Sequence, residues 1–224
     1  MATWARQAWA VTLKDLRIEV RGREVLNSIV PFAGTLLVVF GLAFGPGRAA
    51  LQVAAPALLW LAVLFAGVLA LGRSFEAETE DGALEGLVLA PADRSAIFAG
   101  KVLAVSVQLA VLEALTFLGT AFLFDLTPRD GLVVVAALLL GTLGLAGIGT
   151  LFGALASRAQ ARQALFPLLL LPLAAPVLLA GVRTTQLAVT GPTGEAGSWL
   201  GLLLAFAAIS VSAGALGIEH LMED

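Results

Sequence analysis

The sequence predicts an all-α integral membrane protein with six transmembrane helices, and three observations lead to that fold class. Of its 224 residues, 59% are hydrophobic and only 13% are charged, and the mean hydropathy is +0.98. A soluble domain is roughly 45–50% apolar and about 25% charged. The charged residues stand mainly between long apolar windows. A water-soluble enzyme and a disordered chain are thereby excluded.

Six windows are long enough to cross a bilayer, because each reaches the ~20 residues that a helix needs to span about 30 Å of hydrocarbon. Six buried helices of a soluble protein would need polar outer faces, which these windows lack. The first 24 residues are too long and too charged for the start of a signal peptide, so we expect the first helix to be retained. The windows are 25–47, 49–72, 102–124 (interrupted by Glu113), 131–157, 163–182 and 196–218.

The distribution of Lys and Arg predicts the orientation, since cytoplasmic connections carry the excess of basic residues. Residues 1–24 hold five, the 73–101 connection holds three and the 158–162 connection holds two. The alternate connections hold one each, namely Arg48, Arg129 and Arg183. Both termini are therefore expected on the cytoplasmic side.

Residues 1–24 are expected to form an amphipathic helix at the cytoplasmic face of the bilayer, ahead of a permease domain over 25–224. An apolar stripe recurs at helical spacing, and three basic residues form the opposing stripe. Such a helix lies in the headgroup region; a soluble amphipathic helix is the alternative. The apolar stripe is Trp9, Leu13, Leu16 and Val20, and the basic stripe is Lys14, Arg17 and Arg21.

The 73–101 connection is expected to hold a short cytoplasmic helix that docks onto a partner. Asp81 can cap this helix and Pro91 ends it. Lys101 is expected to extend its ammonium group to water at the membrane boundary. The connection has six acidic and three basic residues, and the alternative is a linker with a solvated helix. The apolar side of the short helix is Leu84, Leu87 and Val88.

Glycine and proline distinguish the fourth and fifth spans. The fourth contains Gly141, Gly144, Gly147, Gly149 and Gly153, of which the last two form a GxxxG pair that favours close helix packing. We expect this packing to be internal rather than a dimer face. The fifth contains three prolines that should kink or interrupt its helix, namely Pro167, Pro172 and Pro176.

Glu113 lies at the centre of the third window. An ionised carboxylate at that depth costs roughly 2.5–3.5 kcal/mol on insertion scales, so the group should face protein or water or carry a proton. Thr116, Gln108, a water molecule or another chain could supply its hydrogen-bond partner. A role on a substrate path or at a subunit contact and a neutral packing role both remain open.

The sequence lacks the residues that metal sites and nucleotide-binding loops require. The chain has no cysteine, and one histidine, His220, cannot form a metal site alone. Gly100 and Lys101 do not belong to a phosphate-binding loop, because position 95 is Ser and Val102 follows the lysine. Any nucleotide hydrolysis is therefore expected on another chain.

The motif from Glu80 to Lys101 resembles the cytoplasmic connection of ABC-2-type exporter permeases. The matching residues follow an E-x-G-x-L-E…P…G-K pattern: Glu80, Gly82, Leu84, Glu85, Pro91, Gly100 and Lys101. The basic segment 14–24 and the run Arg73-Ser-Phe75 restrict this resemblance to one family of such permeases. Along nearly the whole chain the sequence is similar to the CcmB family, the haem exporter B subunits of cytochrome c maturation.

This resemblance implies a non-catalytic permease subunit in the bacterial inner membrane. Its partners would be a CcmA-like ATPase that binds ATP, a haem-handling CcmC-like subunit and a small CcmD-like subunit. ATP hydrolysis would drive haem export or release of a haem-loaded periplasmic chaperone. No cofactor would be bound directly, haem being a handled or transported substrate. By the same resemblance the docking residues would be Glu80, Asp81, Gly82, Leu84, Glu85, Leu87 and Pro91.

Two other functions fit the same topology. A general ABC-2 exporter of lipids or drugs would act as a homodimer, and its deletion would raise sensitivity to amphiphiles. A scaffold subunit would assemble the complex without moving substrate, and a Glu113→Ala variant of it would work like the wild type. An intramembrane enzyme is disfavoured, because no pair of catalytic groups lies within the windows.

Overall fold

The computed structural model describes residues 2–23, 25–45, 47–80, 93–156, 162–191 and 193–221. Within these ranges it is helical, with connecting turns and no strand. The α-helices are α1 (Ala2–Gly22), α2 (Val30–Phe44), α3 (Arg48–Glu80), α4 (Arg94–Phe124), α5 (Gly131–Ala156), α6 (Arg162–Thr190) and α7 (Ala196–Leu221). A π-helical turn over Val25–Ile29 precedes α2, and a 3-10 turn over Thr193–Glu195 precedes α7.

The six predicted transmembrane helices are confirmed. Six helical segments in the described part of the chain are long and apolar enough to cross a membrane. Their order follows the six windows of the sequence, so the all-α membrane fold is the one predicted. They are Asn27–Phe44, Ala50–Gly72, Arg94–Phe124, Gly131–Leu155, Phe166–Thr190 and Ala196–Gly217.

Several helices extend past the apolar windows. α3 continues through Gly72 to Glu80, and α4 already begins at Arg94, so much of the predicted 73–101 connection is helical. α6 likewise runs through Arg183 to Thr190. Charged residues end a hydrocarbon-spanning stretch, but they do not end a helix, because solvated Lys, Arg and Glu have good helix propensity.

The three prolines of the fifth span lie inside α6 without interrupting it. Each proline removes one backbone donor and frees the carbonyl four residues earlier. Transmembrane helices tolerate this loss when neighbouring helices and side chains satisfy the freed groups. The predicted interruption of this helix is therefore not observed.

The core forms where α5 packs against α4, α6 and α7, and where α3 closes the bundle on α4 and α6. Three glycines of α5, Gly141, Gly144 and Gly149, face large side chains of the same chain, which is the internal packing expected for this helix. A Cβ added at Gly141 would meet Trp60 at 2.6 Å, and one added at Gly149 would meet Leu71 at 2.6 Å. Small residues therefore let α3 approach α5 closely.

Trp60 is the largest fully buried side chain and joins three helices. Its indole ring lies over Gly141 of α5 and Gly181 of α6. The indole N–H donates to Thr185 Oγ1 at 2.9 Å. The single polar atom of this ring is thereby satisfied away from water.

Candidate functional site

The predicted docking segment is bounded by two long helices. Glu80 is the last residue of α3, and α4 begins at Arg94. The other predicted docking residues, Asp81, Gly82, Leu84, Glu85, Leu87 and Pro91, lie outside the described residues, as does the predicted helix around them. The structure therefore places the two ends of this segment, and its docking role stays a prediction.

The α4 end of the segment is fixed by a hydrogen-bonded cap. Asp93 is the N-cap of α4, and its Oδ1 accepts from the Ser95 hydroxyl at 2.7 Å and from the Ser95 N–H at 3.0 Å. These two bonds hold the pKa of the Asp93 carboxyl below its usual value, and the bond from the Ser95 hydroxyl has the larger effect. The cap satisfies backbone donors at the start of α4.

Helix α1 binds this cap through two polar side chains. The Trp4 indole N–H donates to Ser95 Oγ at 2.8 Å, and the Asp93 N–H donates to Gln7 Oε1 at 3.2 Å. The first residues of the chain are thus bound directly to the end of the predicted docking segment. Sequence reasoning missed this contact, because Trp4 and Gln7 belong to neither the apolar nor the basic stripe of α1.

A second contact brings the backbones of α1 and α4 together at Gly100. The Thr12 hydroxyl is within hydrogen-bond distance of Ala8 O at 2.9 Å and of Gly100 O at 3.0 Å. A Cβ added at Gly100 would lie 2.5 Å from the Ala8 carbonyl oxygen and 2.7 Å from Val11 Cβ. Only glycine at this position allows the observed approach.

The prediction that Lys101 extends to water was wrong. Lys101 is buried beneath α1, with 7% of its surface exposed, and its Nζ lies 3.8 Å from Asp15 Oδ2. Asp15 also pairs with Lys14 at 2.8 Å. A carboxylate on the facing helix lets the ammonium group stay inside the protein.

Helix α1 therefore has a packing face in addition to the apolar and basic stripes that its sequence pattern indicates. One face packs on α4 and contains the buried Ala8 and Thr12. The predicted apolar stripe lies on a different side, where Trp9 is 59% and Val20 is 73% exposed. The predicted position of α1 at the membrane interface stays a prediction.

Glu113 is buried within the bundle, at 2% exposure. Its Oε2 lies 2.5 Å from Thr142 Oγ1 on α5, and its Oε1 has no hydrogen-bond partner among the described residues. The Thr142 hydroxyl also lies 2.8 Å from Leu138 O. The Thr142 hydroxyl donates to both acceptors, Glu113 Oε2 and Leu138 O, as a shared three-centre bond.

The partner of Glu113 differs from the two candidates on its own helix. The Thr116 hydroxyl donates to Leu112 O at 2.7 Å, and Gln108 lines a groove beside α1. Thr142 is one of two hydroxyl residues in α5, which was a signal that the sequence offered. Because the chain itself encloses Glu113, the geometry favours a contact between α4 and α5 over a subunit contact.

The side chain of His220, near the end of α7, lies outside the described side chains.

Comparison with known proteins agrees with this architecture. The profile of the CcmB protein family matches residues 6–223. The chain is 33% identical to Heme exporter protein B of Bradyrhizobium diazoefficiens over 208 residues, which cover 92% of each chain. It is 35% identical to Heme exporter protein B of Pseudomonas aeruginosa over 188 residues, 84% of each chain. Heme exporter protein B of Rhodobacter capsulatus is 31% identical over 81% of this chain and 84% of its own. The chain therefore belongs to the CcmB family of multi-pass membrane proteins.

Proposed function

We propose that this protein is the non-catalytic membrane subunit of an ABC-type complex that handles haem during cytochrome c maturation. A partner ATPase would hydrolyse ATP, and this chain would convert the partner's movement into haem export or release of a haem-loaded periplasmic chaperone. Support comes from membership of the CcmB family and from the name Heme exporter protein B of its relatives.

One observation carries the coupling part of the proposal, namely the excess length of α3 and α4. With 33 and 31 residues, they measure about 50 and 47 Å at 1.5 Å per residue. A bilayer core of about 30 Å leaves more than 15 Å of each helix to extend beyond it. The acidic segment 81–92 joins these two helices, and in this proposal it would stand clear of the membrane where a soluble protein can reach it.

The docking residues of this proposal are Glu80, Asp81, Gly82, Leu84, Glu85, Leu87 and Pro91. Their acidic and apolar side chains suit an ATPase groove with a basic rim and an apolar floor. Movement of the segment would reach α4 through the Asp93 cap. Because Trp4 and Gln7 bind that cap, α1 would move with α4.

From α4, the movement would pass to the rest of the bundle through side chains that contact other helices. Glu113 joins α4 to α5 through Thr142. Phe98 is buried against Gly214 of α7, near the same end of the bundle. Packed helices of this kind shift as units between discrete arrangements, so movement of α4 would change the packing of α5 and α7.

The proposal includes a location and partners. The protein would lie in the bacterial inner membrane with both termini in the cytoplasm, as the Lys and Arg distribution predicts. It would assemble with CcmA-like, CcmC-like and CcmD-like subunits. Haem would be a handled substrate rather than a resident cofactor, and ATP would bind the partner.

Co-purification tests the coupling part. Gly82→Arg and Leu84→Arg should each abolish recovery of the ATPase with the tagged membrane subunit and should lower c-type cytochrome levels. Gly194→Arg is the matched control, because Gly194 is exposed with open space around it. Normal ATPase recovery and normal cytochrome levels in both docking variants would refute the docking role.

Gene deletion separates this function from that of a general exporter. Loss confined to c-type cytochromes would support the proposal. Increased sensitivity to amphiphiles, with c-type cytochromes unchanged, would indicate a lipid or drug exporter instead.

A further inference from the structure

Glu113 lies far from every other charged residue of its own helix. It stands midway on α4 between Lys101 and Asp125, twelve residues from each, which is about 18 Å along the helix axis. The described helices that pack against α4 are α1, α2, α3, α5 and α7. The membrane-spanning segments of α2, α3, α5 and α7 contain no Asp, Glu, His, Lys or Arg. These four helices therefore bring no counter-charge to the Glu113 carboxyl.

Helix α1 does bring charged residues close to α4, but not to the side that carries Glu113. Asp15 pairs with Lys14 and with Lys101, about 18 Å away along α4. Glu19 and Arg23 line a groove against three residues of α4 that lie about 120–160° around this helix from Glu113. Those three residues are Val107, Gln108 and Val111. The remaining charged residues of α1, which are exposed, are Arg6, Arg17 and Arg21.

The two oxygens of the Glu113 carboxyl have different surroundings. Oε2 accepts from the Thr142 hydroxyl at 2.5 Å, whereas Oε1 is buried without a hydrogen-bond partner among the described residues. An ionised carboxylate at 2% exposure would hold its charge against this one shared hydroxyl donor. Burying an unpaired charge is far more costly than burying a neutral carboxyl. A proton on Oε1 removes the charge and leaves the bond from Thr142 to Oε2 in place.

Two further buried hydroxyls lack a partner among the described residues, namely Ser106 Oγ and Thr150 Oγ1. Ser106 stands seven residues before Glu113, on the same side of α4, and Thr150 stands eight residues after Thr142. Because α4 and α5 are consecutive spans and run antiparallel, both hydroxyls are displaced by about 11–12 Å from the Glu113–Thr142 contact in the same direction, toward Lys101. Buried hydroxyls without protein partners are groups that ordered internal water satisfies.

We propose that Glu113 is a proton-binding site and that its proton exchanges through water bound at Ser106 and Thr150, toward the Lys101 end of α4. When the proton arrives, an O–H bond forms at Glu113 Oε1 and an O–H bond of a hydronium ion breaks, which leaves neutral water. The bound proton keeps the contact between α4 and α5 uncharged, so proton occupancy is linked to the packing of these helices. This site is independent of the docking role of residues 81–92.

Infrared spectroscopy of the full-length protein at neutral pH tests the bound proton. The wild type should show a carbonyl band of a protonated carboxyl that Glu113→Gln loses, whereas the control Glu195→Gln, at an exposed carboxylate, should keep it. Thr142→Val retains the carboxyl but removes the donor to Oε2, so the band should move to higher wavenumber. Identical carboxyl bands in the wild type and Glu113→Gln would overturn the proposal, as would an unshifted band in Thr142→Val.

Transfer of the protein into D₂O tests the route, because the same band shifts when a deuteron replaces the proton. Ser106→Ala and Thr150→Val should each slow this shift about three- to tenfold, the effect of one hydrogen bond lost from a bound water. Thr120→Val is the matched control, since Thr120 lies on the same side of α4 toward Asp125 and its hydroxyl donates to Thr116 O. Unchanged rates in Ser106→Ala and Thr150→Val, or equal slowing by Thr120→Val, would overturn the route.

Discussion

Thr142→Val is expected to destabilise the bundle through Glu113 rather than through its own lost hydroxyl. Both residues are 2% exposed, and Glu113 Oε1 already lacks a partner among the described residues. Removing the hydroxyl leaves Oε2 unpartnered too. A buried polar group without a partner costs about 1–3 kcal/mol. Hydrogen bonds between transmembrane helices are worth about 0.6 kcal/mol on average and 1.7 at most, so we expect a loss of about 1–2 kcal/mol.

Replacing Glu113 separates the two contributions. Glu113→Leu removes both carboxyl oxygens and leaves Thr142 bonded to Leu138 O, so its cost should be below about 1 kcal/mol. In that background Thr142→Val should cost less than about 0.5 kcal/mol, because the remaining change is a satisfied hydroxyl to a methyl group. The two substitutions should therefore be non-additive by about 1 kcal/mol.

The assay is unfolding in mixed micelles by increasing fractions of denaturing detergent, followed by tryptophan fluorescence and circular dichroism. The reasoning is refuted when Thr142→Val is neutral in the wild-type background, or when it destabilises equally with Glu113→Leu present. The same variants, measured for c-type cytochrome levels, separate packing from transport. A stable Glu113→Leu or Glu113→Ala variant that supports normal cytochrome levels excludes Glu113 from a substrate path and favours a scaffold.

Three further predictions follow from the described contacts. Gly100→Val should displace α1 and increase protease cleavage within α1, because the added Cβ would lie 2.5 Å from a backbone carbonyl oxygen. The control Gly197→Val adds its side chain in open space, so this variant should be cleaved at the wild-type rate. Gly181→Ala should lower the free energy of unfolding by about 1–3 kcal/mol, because the methyl group overlaps the Trp60 ring; an unchanged free energy of unfolding would contradict this packing. Below the usual Asp pKa of 3.8, the wild type should lose stability as the pH falls through the lowered pKa of Asp93. Asp93→Asn keeps the cap but removes the titrating group, so the free energy of unfolding of this variant should depend less on pH in the acid range. An unchanged pH dependence of the free energy of unfolding would refute this prediction.

The six spans could be predicted because charge is costly in hydrocarbon, so its absence marks the windows directly. Helix ends could not be read from the same signal. Arg73 and Arg183 end apolar windows, yet α3 and α6 continue past them. The end of a membrane-spanning stretch is set by the solvation of its side chains. The end of a helix is set by the hydrogen bonding of its backbone groups.

The contacts of α1 were beyond the sequence pattern for another reason. Its apolar stripe indicates the membrane, whereas the face that packs on α4 consists of small and polar residues such as Ala8 and Thr12. Close packing of backbones has no hydrophobic periodicity. The surroundings of Lys101 were also not predictable from the sequence pattern, because the carboxylate that pairs with it stands 86 residues earlier, at Asp15.

The central claim is that residues 81–92 face the ATPase on the cytoplasmic side, and cysteine labelling tests it most directly. The chain has no cysteine, so Ala83→Cys and Gly194→Cys each create a single labelling site. In intact spheroplasts a membrane-impermeant maleimide should label Gly194→Cys only, and Ala83→Cys should react after the membrane is opened. Labelling of Ala83→Cys before opening would contradict both the orientation and the coupling.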